Sequence, residues 1–170
     1  DLLDAIAKAR DAGAWPKDAR AVIAGDAQAR DSYRDELAAR IGALHLGEIV
    51  RLSDHVGDMP AAYLACAIAV SASTDPEAFG RVPPEAGAMG RPVIATDHGG
   101  ARETVVKDIS GMLTPPGDAA ALSKALARLL AAPPETLSAM GAQGRRHIEA
   151  RYTVERMCAD TLGVYRQLMG

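Results

Sequence analysis

The sequence has 170 residues, 48% of them hydrophobic, and a formal net charge of −3 from 19 basic and 22 acidic residues. That is enough chain for one domain with a sizeable core. It excludes the basic face with which a nucleic-acid binder neutralises phosphates, so no nucleic-acid partner is expected.

In chain order, Leu2, Leu3, Ile6 and Ala9 fall on one helical face, and Gly13 stops that helix. Residues 20–24 (RAVIA) form a short apolar strand that ends at Gly25-Asp26. Residues 29–42 read as a helix with Tyr33, Leu37 and Ile41 in one stripe, and 49–52 as a second strand. Residues 59–66 make a short helix with Pro60 in its tolerant first turn. Residues 67–71 (AIAVS) follow as a third strand. A short helix over 84–89 is closed by Gly90, and 92–95 (PVIA) and 111–114 (GMLT) are further strands. Asp118 caps a helix to about residue 130 by accepting from free N–H groups of its first turn. The pair Pro133-Pro134 opens another helix to about 150, and a last one covers about 154–168. The basic cluster Arg145-Arg146-His147 lies in a mixed-charge helix and reads as a solvated face, with a weak phosphate or membrane-surface role as the alternative.

Strands alternating with helices predict an α/β fold: a Rossmann-like parallel sheet with helices on both faces, in one domain over 1–170. The strands are apolar on both sides, as a covered parallel sheet requires. The two cysteines, Cys66 and Cys158, lie far apart in apolar helical contexts and read as buried free thiols in a cytoplasmic protein. No apolar run reaches the length that spans a bilayer, and the chain opens in mid-helix pattern without an initiator methionine, as a fragment would.

Ligands of open α/β sheets bind beyond the carboxyl ends of the strands. One such segment stands out, residues 76–100, PEAFGRVPPEAGAMGRPVIATDHGG. Glu77 and Glu85 flank Phe79-Gly80, and Pro83-Pro84 starts a helix. Free N–H groups at a helix start suit a diphosphate, and Gly80 lets a ligand approach the backbone closely. A carboxylate can accept from both hydroxyls of a vicinal diol. Two carboxylates around such a loop can therefore hold both ends of a nucleotide sugar. By spacing alone, the pair is equally a capping residue beside a solvated surface charge.

The stretch resembles the Glu-x7-Glu region of family-4 type retaining glycosyltransferases of the GT-B fold. Glu77, Phe79, Gly80, Glu85, Ala86, Ala88, Gly90, Pro92, Val93, Gly99, Gly100 and Glu103 match its pattern. The resemblance extends to VIAGDA at 22–27, to 50–73 and to 108–126. It implies the C-terminal, donor-binding half of a GT-B enzyme that transfers a hexose with retention of anomeric configuration, similar to the transferases of cell-surface polysaccharide and lipopolysaccharide synthesis. Glu85 would bind the ribose hydroxyls, and Glu77, as the catalytic residue, would face the donor sugar. The backbone amides of Phe79, Gly80, Arg81 and Val82 would hold sugar and diphosphate. Gly99-Gly100 would line the opposite wall, and Gly25 belongs to the glycine turn after the first strand. The resemblance implies no metal and no cofactor, and the sequence has no Asp-x-Asp triplet. His55 and His98 are loop contacts or ordinary surface histidines.

Two departures are visible. Asp54 stands where the family usually has glycine, and either alters contacts to the base or sits in solvent. The family's domain also begins with one more strand and with diphosphate-gripping Arg and Lys residues that have no match here. That strand would be central, between 20–24 and 67–71. Its absence should leave those two strands without a shared neighbour, to be met by a second copy or a longer chain rather than by direct pairing. The acceptor would bind an N-terminal domain, with peripheral contact at the inner membrane face, so this chain alone should transfer no sugar. The rival readings are another GT-B enzyme, such as a nucleotide-sugar epimerase or a phosphorylase, and a non-catalytic nucleotide-binding module.

Overall fold

The computed structural model describes residues 1–25 and 31–169. Residues 26–30 lie outside it, and with them Asp26 and the first two residues of the helix expected over 29–42. The elements run α1 (Leu2–Asp11), β1 (Ala21–Ala24), α2 (Asp31–Ala43), β2 (Val50–Ser53), α3 (Met59–Ala65), β3 (Ala69–Ser71) and α4 (Val82–Ala88). They continue with β4 (Val93–Thr96), α5 (Ala101–Thr104), β5 (Gly111–Thr114), α6 (Ala119–Leu130), α7 (Pro134–Arg151) and α8 (Val154–Met169).

All strand pairs are parallel, as the alternation of strands and helices predicts. They form two sheets, β1-β2 and β3-β4-β5. β1 and β3 do not pair with each other, so direct closure, the alternative set aside above, has not occurred. One core nevertheless underlies both sheets: Leu3, Ile6, Leu46, Ile94, Leu122, Leu126 and Leu129 are buried together, with Ala21, Ile23 and Val70 packed against them. Burying each large side chain of this set contributes about 1.5–3 kcal/mol. A second cluster on the other face joins Tyr63, Ala86, Val93, Ala95, Ala101 and Val105. The three-stranded sheet is thus covered twice, and all four residues of β4 are buried.

β1 departs from the expected double cover. Val22 is 64% exposed, and Ala24 is exposed too. Ala21 and Ile23 pack against the core that α1 and α6 share, while Val22 and Ala24 alternate with them on the exposed side. Cys158 corrects a second expectation. It is exposed on α8, which buries none of its residues, and Cys66 is only half-buried. Burial pushes the Cys66 thiol pKa up.

Asp118 caps α6 as expected, its Oδ1 accepting from the N–H groups of Ala120 at 3.0 Å and Ala121 at 2.8 Å. Asp58 caps α3 in the same way through Ala61, at 2.9 Å. α4 lies directly on α7. A Cβ at Gly141 would sit 1.9 Å from the Gly90 carbonyl oxygen, and one at Gly87 would sit 3.1 Å from Ile148. Side chains at these crossings would push the two helices apart.

Candidate functional site

The segment 71–80 leaves the carboxyl end of β3 and runs to α4, while 97–100 leaves β4 and runs to α5. Both therefore lie where ligands of parallel sheets bind. They touch through backbone. A Cβ on Gly99 would lie 2.0 Å from the Glu77 carbonyl oxygen, and one on Gly100 would lie 2.0 Å from that of Phe79. Only glycine permits that approach. Gly80 has φ +72°, and a Cβ there would meet Glu77 Oε2 at 2.7 Å. The three glycines thus shape the loop around the Glu77 carboxylate.

Glu77 is exposed, and its Oε1 accepts from the Ser73 hydroxyl. The Ser73 carbonyl in turn accepts from His98 Nε2–H at 2.9 Å. His98 Nδ1 is buried without a hydrogen-bond partner among the described residues. Glu77, Phe79, Gly80, His98 and Gly100 line one small cavity together with Thr96. His98 thus stands in this wall, while His55 is exposed. The Phe79 ring stands 5.9 Å from that of Tyr152, tilted by 52°. Tyr152 O–H and His147 Nε2–H both donate to the Glu103 carbonyl, at 3.1 and 2.7 Å, and so tie the end of α7 to α5. Burial, aided by the Glu103 carboxylate, raises the Tyr152 pKa.

Glu85 lies in the first turn of α4, half-buried. Its Oε1 accepts from Arg81 Nε at 2.8 Å and pairs with Arg81 Nη2 at 2.7 Å, and its Oε2 accepts from the Tyr63 hydroxyl at 3.2 Å. Burial, then the Glu85 charge, pushes the Tyr63 pKa up to about 12. α4 begins at Val82, two residues earlier than expected, with Arg81 as its N-cap. Among the described hydrogen bonds, none is donated by the backbone N–H of Phe79, Gly80, Arg81 or Val82. These four amides form a run of free donors between the two carboxylates. The Arg81 side chain, 86% exposed, is engaged with Glu85.

The structure thus brings Glu77, Phe79, Gly80, Gly99 and Gly100 into one wall-to-wall contact, with Arg81, Val82 and Glu85 next along the chain. Gly25 ends β1 in the other sheet and does not line this cavity. Asp54 sits in solvent, 88% exposed, and pairs with Arg34 of α2 at 2.6 Å. Among the described residues, no three His, Cys, Asp or Glu side chains gather as a metal site would require, and no helix is long and apolar enough to cross a membrane. Sequence reasoning missed Tyr63, Ser73 and Tyr152. Tyr63 and Tyr152 reach their partners only through tertiary packing.

The family model for Glycosyl transferases group 1 matches residues 1–147. The lipopolysaccharide core biosynthesis mannosyltransferase LpcC of Rhizobium leguminosarum bv. viciae is 30% identical over 151 residues, covering 88% of this chain and 42% of that protein. A D-inositol 3-phosphate glycosyltransferase of Salinispora tropica is 35% identical over 143 residues, 83% of this chain and 28% of that one. This chain therefore spans less than half the length of either relative. Among solved structures, Anabaena HepE in complex with UDP matches with a TM-score of 0.84 at 29% identity, over 96% of this chain and 44% of that one. A complex of the same protein with UDP-glucose matches equally well, at 30% identity. The C-terminal domain of the group 1 family protein LpcC from Francisella tularensis has a TM-score of 0.77 at 25% identity, over 89% of this chain and 77% of that domain.

Proposed function

The chain belongs to the glycosyl transferases of group 1, and we propose that it binds a nucleoside diphosphate sugar at residues 77–85 as the donor half of a retaining hexosyltransferase. The observation that supports this best is the backbone contact of Glu77 and Phe79 with Gly99 and Gly100, which holds a run of free N–H donors between two carboxylates. The likeness to a protein solved with UDP and with UDP-glucose adds weight to the reading.

In this reading Glu85 accepts from the ribose diol, and Glu77 accepts from the hexose hydroxyls near the anomeric carbon. The amides of Phe79 to Val82 bind the diphosphate and stabilise the charge that grows on it as the glycosidic bond to the sugar breaks, with no metal assigned. Such donors are worth most when they are fixed in advance, and the Gly99-Gly100 contact fixes them. The acceptor hydroxyl has to be held within reach of the anomeric carbon. We assign the acceptor to a part of the enzyme other than this chain, which alone transfers no sugar. Lipopolysaccharide synthesis is the setting that the mannosyltransferase relative favours, and we assign the reaction to the cytoplasmic side of the membrane.

Titration calorimetry of the chain with UDP, GDP and ADP tests the donor site. One of them should bind, and Glu85→Ala should weaken it by about 1.5–3 kcal/mol, the worth of a hydrogen bond to a charged group. Binding of none of the three would point to a non-catalytic module. Unchanged affinity in Glu85→Ala would remove the ribose assignment.

A further inference from the structure

We infer that Tyr63 is a positioning residue that sets the Glu85 carboxylate for a ribose diol, and that Arg81 is the arm that leaves when the diol arrives. The inference rests on the reading of Glu85 as the ribose ligand.

Its geometry comes from two elements that meet only in the fold. Tyr63 lies on α3, is 6% exposed, and has its ring in the apolar cluster with Ala69, Ala86 and Val93. From there its hydroxyl crosses to Glu85 Oε2 at 3.2 Å, the only described hydrogen bond that the hydroxyl makes. The ring cannot turn away without leaving that cluster. The pKa raised to about 12 keeps the hydroxyl protonated, so it remains a donor across the neutral range.

The other oxygen of Glu85 is held differently. Arg81 reaches Oε1 from solvent, with its own side chain 86% exposed. An exposed pair of this kind is weak and readily given up. The terminal torsion of a glutamate is broad and roughly two-fold, so a carboxylate without an anchor samples many orientations. With Tyr63 on one oxygen and Arg81 on the other, it is pinned in one. When the Arg81 arm swings out, the carboxylate keeps its orientation through Tyr63. Each oxygen has two acceptor positions, so Oε2 can still take one ribose hydroxyl while Oε1 takes its neighbour.

A purely structural role for Tyr63 would affect all nucleotides alike, whereas a positioning role acts only through the diol. The test compares binding of UDP and GDP with that of their 2′,3′-dideoxy counterparts, by calorimetry, in the wild-type chain and in Tyr63→Phe. The wild type should prefer the ribose form by at least about tenfold, the worth of a charge-assisted hydrogen bond. Tyr63→Phe should lower that preference several-fold while leaving dideoxynucleotide affinity unchanged. A preference retained in full by Tyr63→Phe would overturn the inference alone. An equal fall in ribose and dideoxy affinity would also overturn it, by making Tyr63 part of the scaffold. A wild-type chain without any ribose preference would overturn the ribose reading of Glu85 and this inference with it.

Discussion

Gly100→Ala isolates the contact on which the site is built. Gly100 has φ −65° and ψ −15°, a conformation that alanine adopts without strain. In the absence of neighbours the substitution would stabilise the protein by about 0.4–1 kcal/mol, through the entropy of the unfolded chain. The new Cβ, however, would lie 2.0 Å from the Phe79 carbonyl oxygen and 2.7 Å from its carbon. To reach even 3.0 Å, the loop backbone or the start of α5 must retreat by about 1 Å, and no flexible side chain can do this for it. Overpacking of this kind costs about 1–3 kcal/mol. The net loss is then about 0.5–2 kcal/mol, a fall in melting temperature of roughly 1–8 °C for a chain of this size. Because the backbone that moves is the proposed donor loop, nucleotide affinity should fall as well, by about 1.5–3 kcal/mol if one amide bond to the diphosphate is lost. Gly57→Ala is the control, since a Cβ there meets nothing within 4 Å. Thermal denaturation and calorimetry with whichever nucleotide binds supply both readouts. If Gly100→Ala melted at or above the wild-type temperature with unchanged affinity, the reasoning from the contact would fail.

In the whole enzyme, Glu77→Gln should lower turnover about tenfold or more with little change in the donor Michaelis constant, because its contact with the sugar strengthens mainly in the transition state. Steady-state kinetics with varied donor checks this, and a raised Michaelis constant at unchanged turnover would refute it. The Tyr63 pKa of about 12 lies above the ordinary value of 10.0, so the folded protein binds the proton more tightly than the unfolded chain does. That contribution to stability is fully present below pH 10 and is lost as pH rises through 12. Urea denaturation from pH 9 to 12 should show the wild type losing more stability than Tyr63→Phe, and parallel curves would refute it.

The elements were legible where a local signal defines them. Asp118 and the apolar spacing after it predict α6 to within a residue, and 111–114 is a strand as expected. α5 went unseen because four residues are too few to show a helical period. α4 starts before its proline pair because Arg81 already adopts helical dihedrals, φ −80° and ψ −28°. The exposure of Val22 and Cys158 was not legible, since apolar character shows what could be buried and tertiary contact decides what is. For the site, the sequence pointed to a loop and to glycines that the structure brings into contact. It could not show that both oxygens of Glu85 are already engaged, because Tyr63 and Glu85 are 22 residues apart in sequence and meet only when α3 and α4 share one apolar cluster.

The two carboxylates differ in how firmly the fold holds them, and that difference matches the division of labour proposed for them. Glu85 projects from α4, which is fixed on one side by the glycine contacts of Gly90 and Gly87 with α7 and on the other by the cluster around Ala86. Moving Glu85 would require moving a packed helix, so a ligand group bound there has a fixed address on the domain. Glu77 lies in an exposed segment whose described side-chain anchor is the Ser73 hydroxyl, with its backbone resting on Gly99. The backbone of that segment is held by the glycine contacts, whereas the exposed Glu77 side chain can turn without breaking an apolar core. Sites on packed elements hold geometry better than sites on loops, while loops accommodate change. The nucleotide keeps the same shape throughout a glycosyl transfer, whereas the sugar changes geometry at its anomeric carbon. On the proposed reading, the ribose is thus gripped from a packed helix and the hexose from an exposed side chain that can follow the anomeric carbon as its bond to the diphosphate breaks.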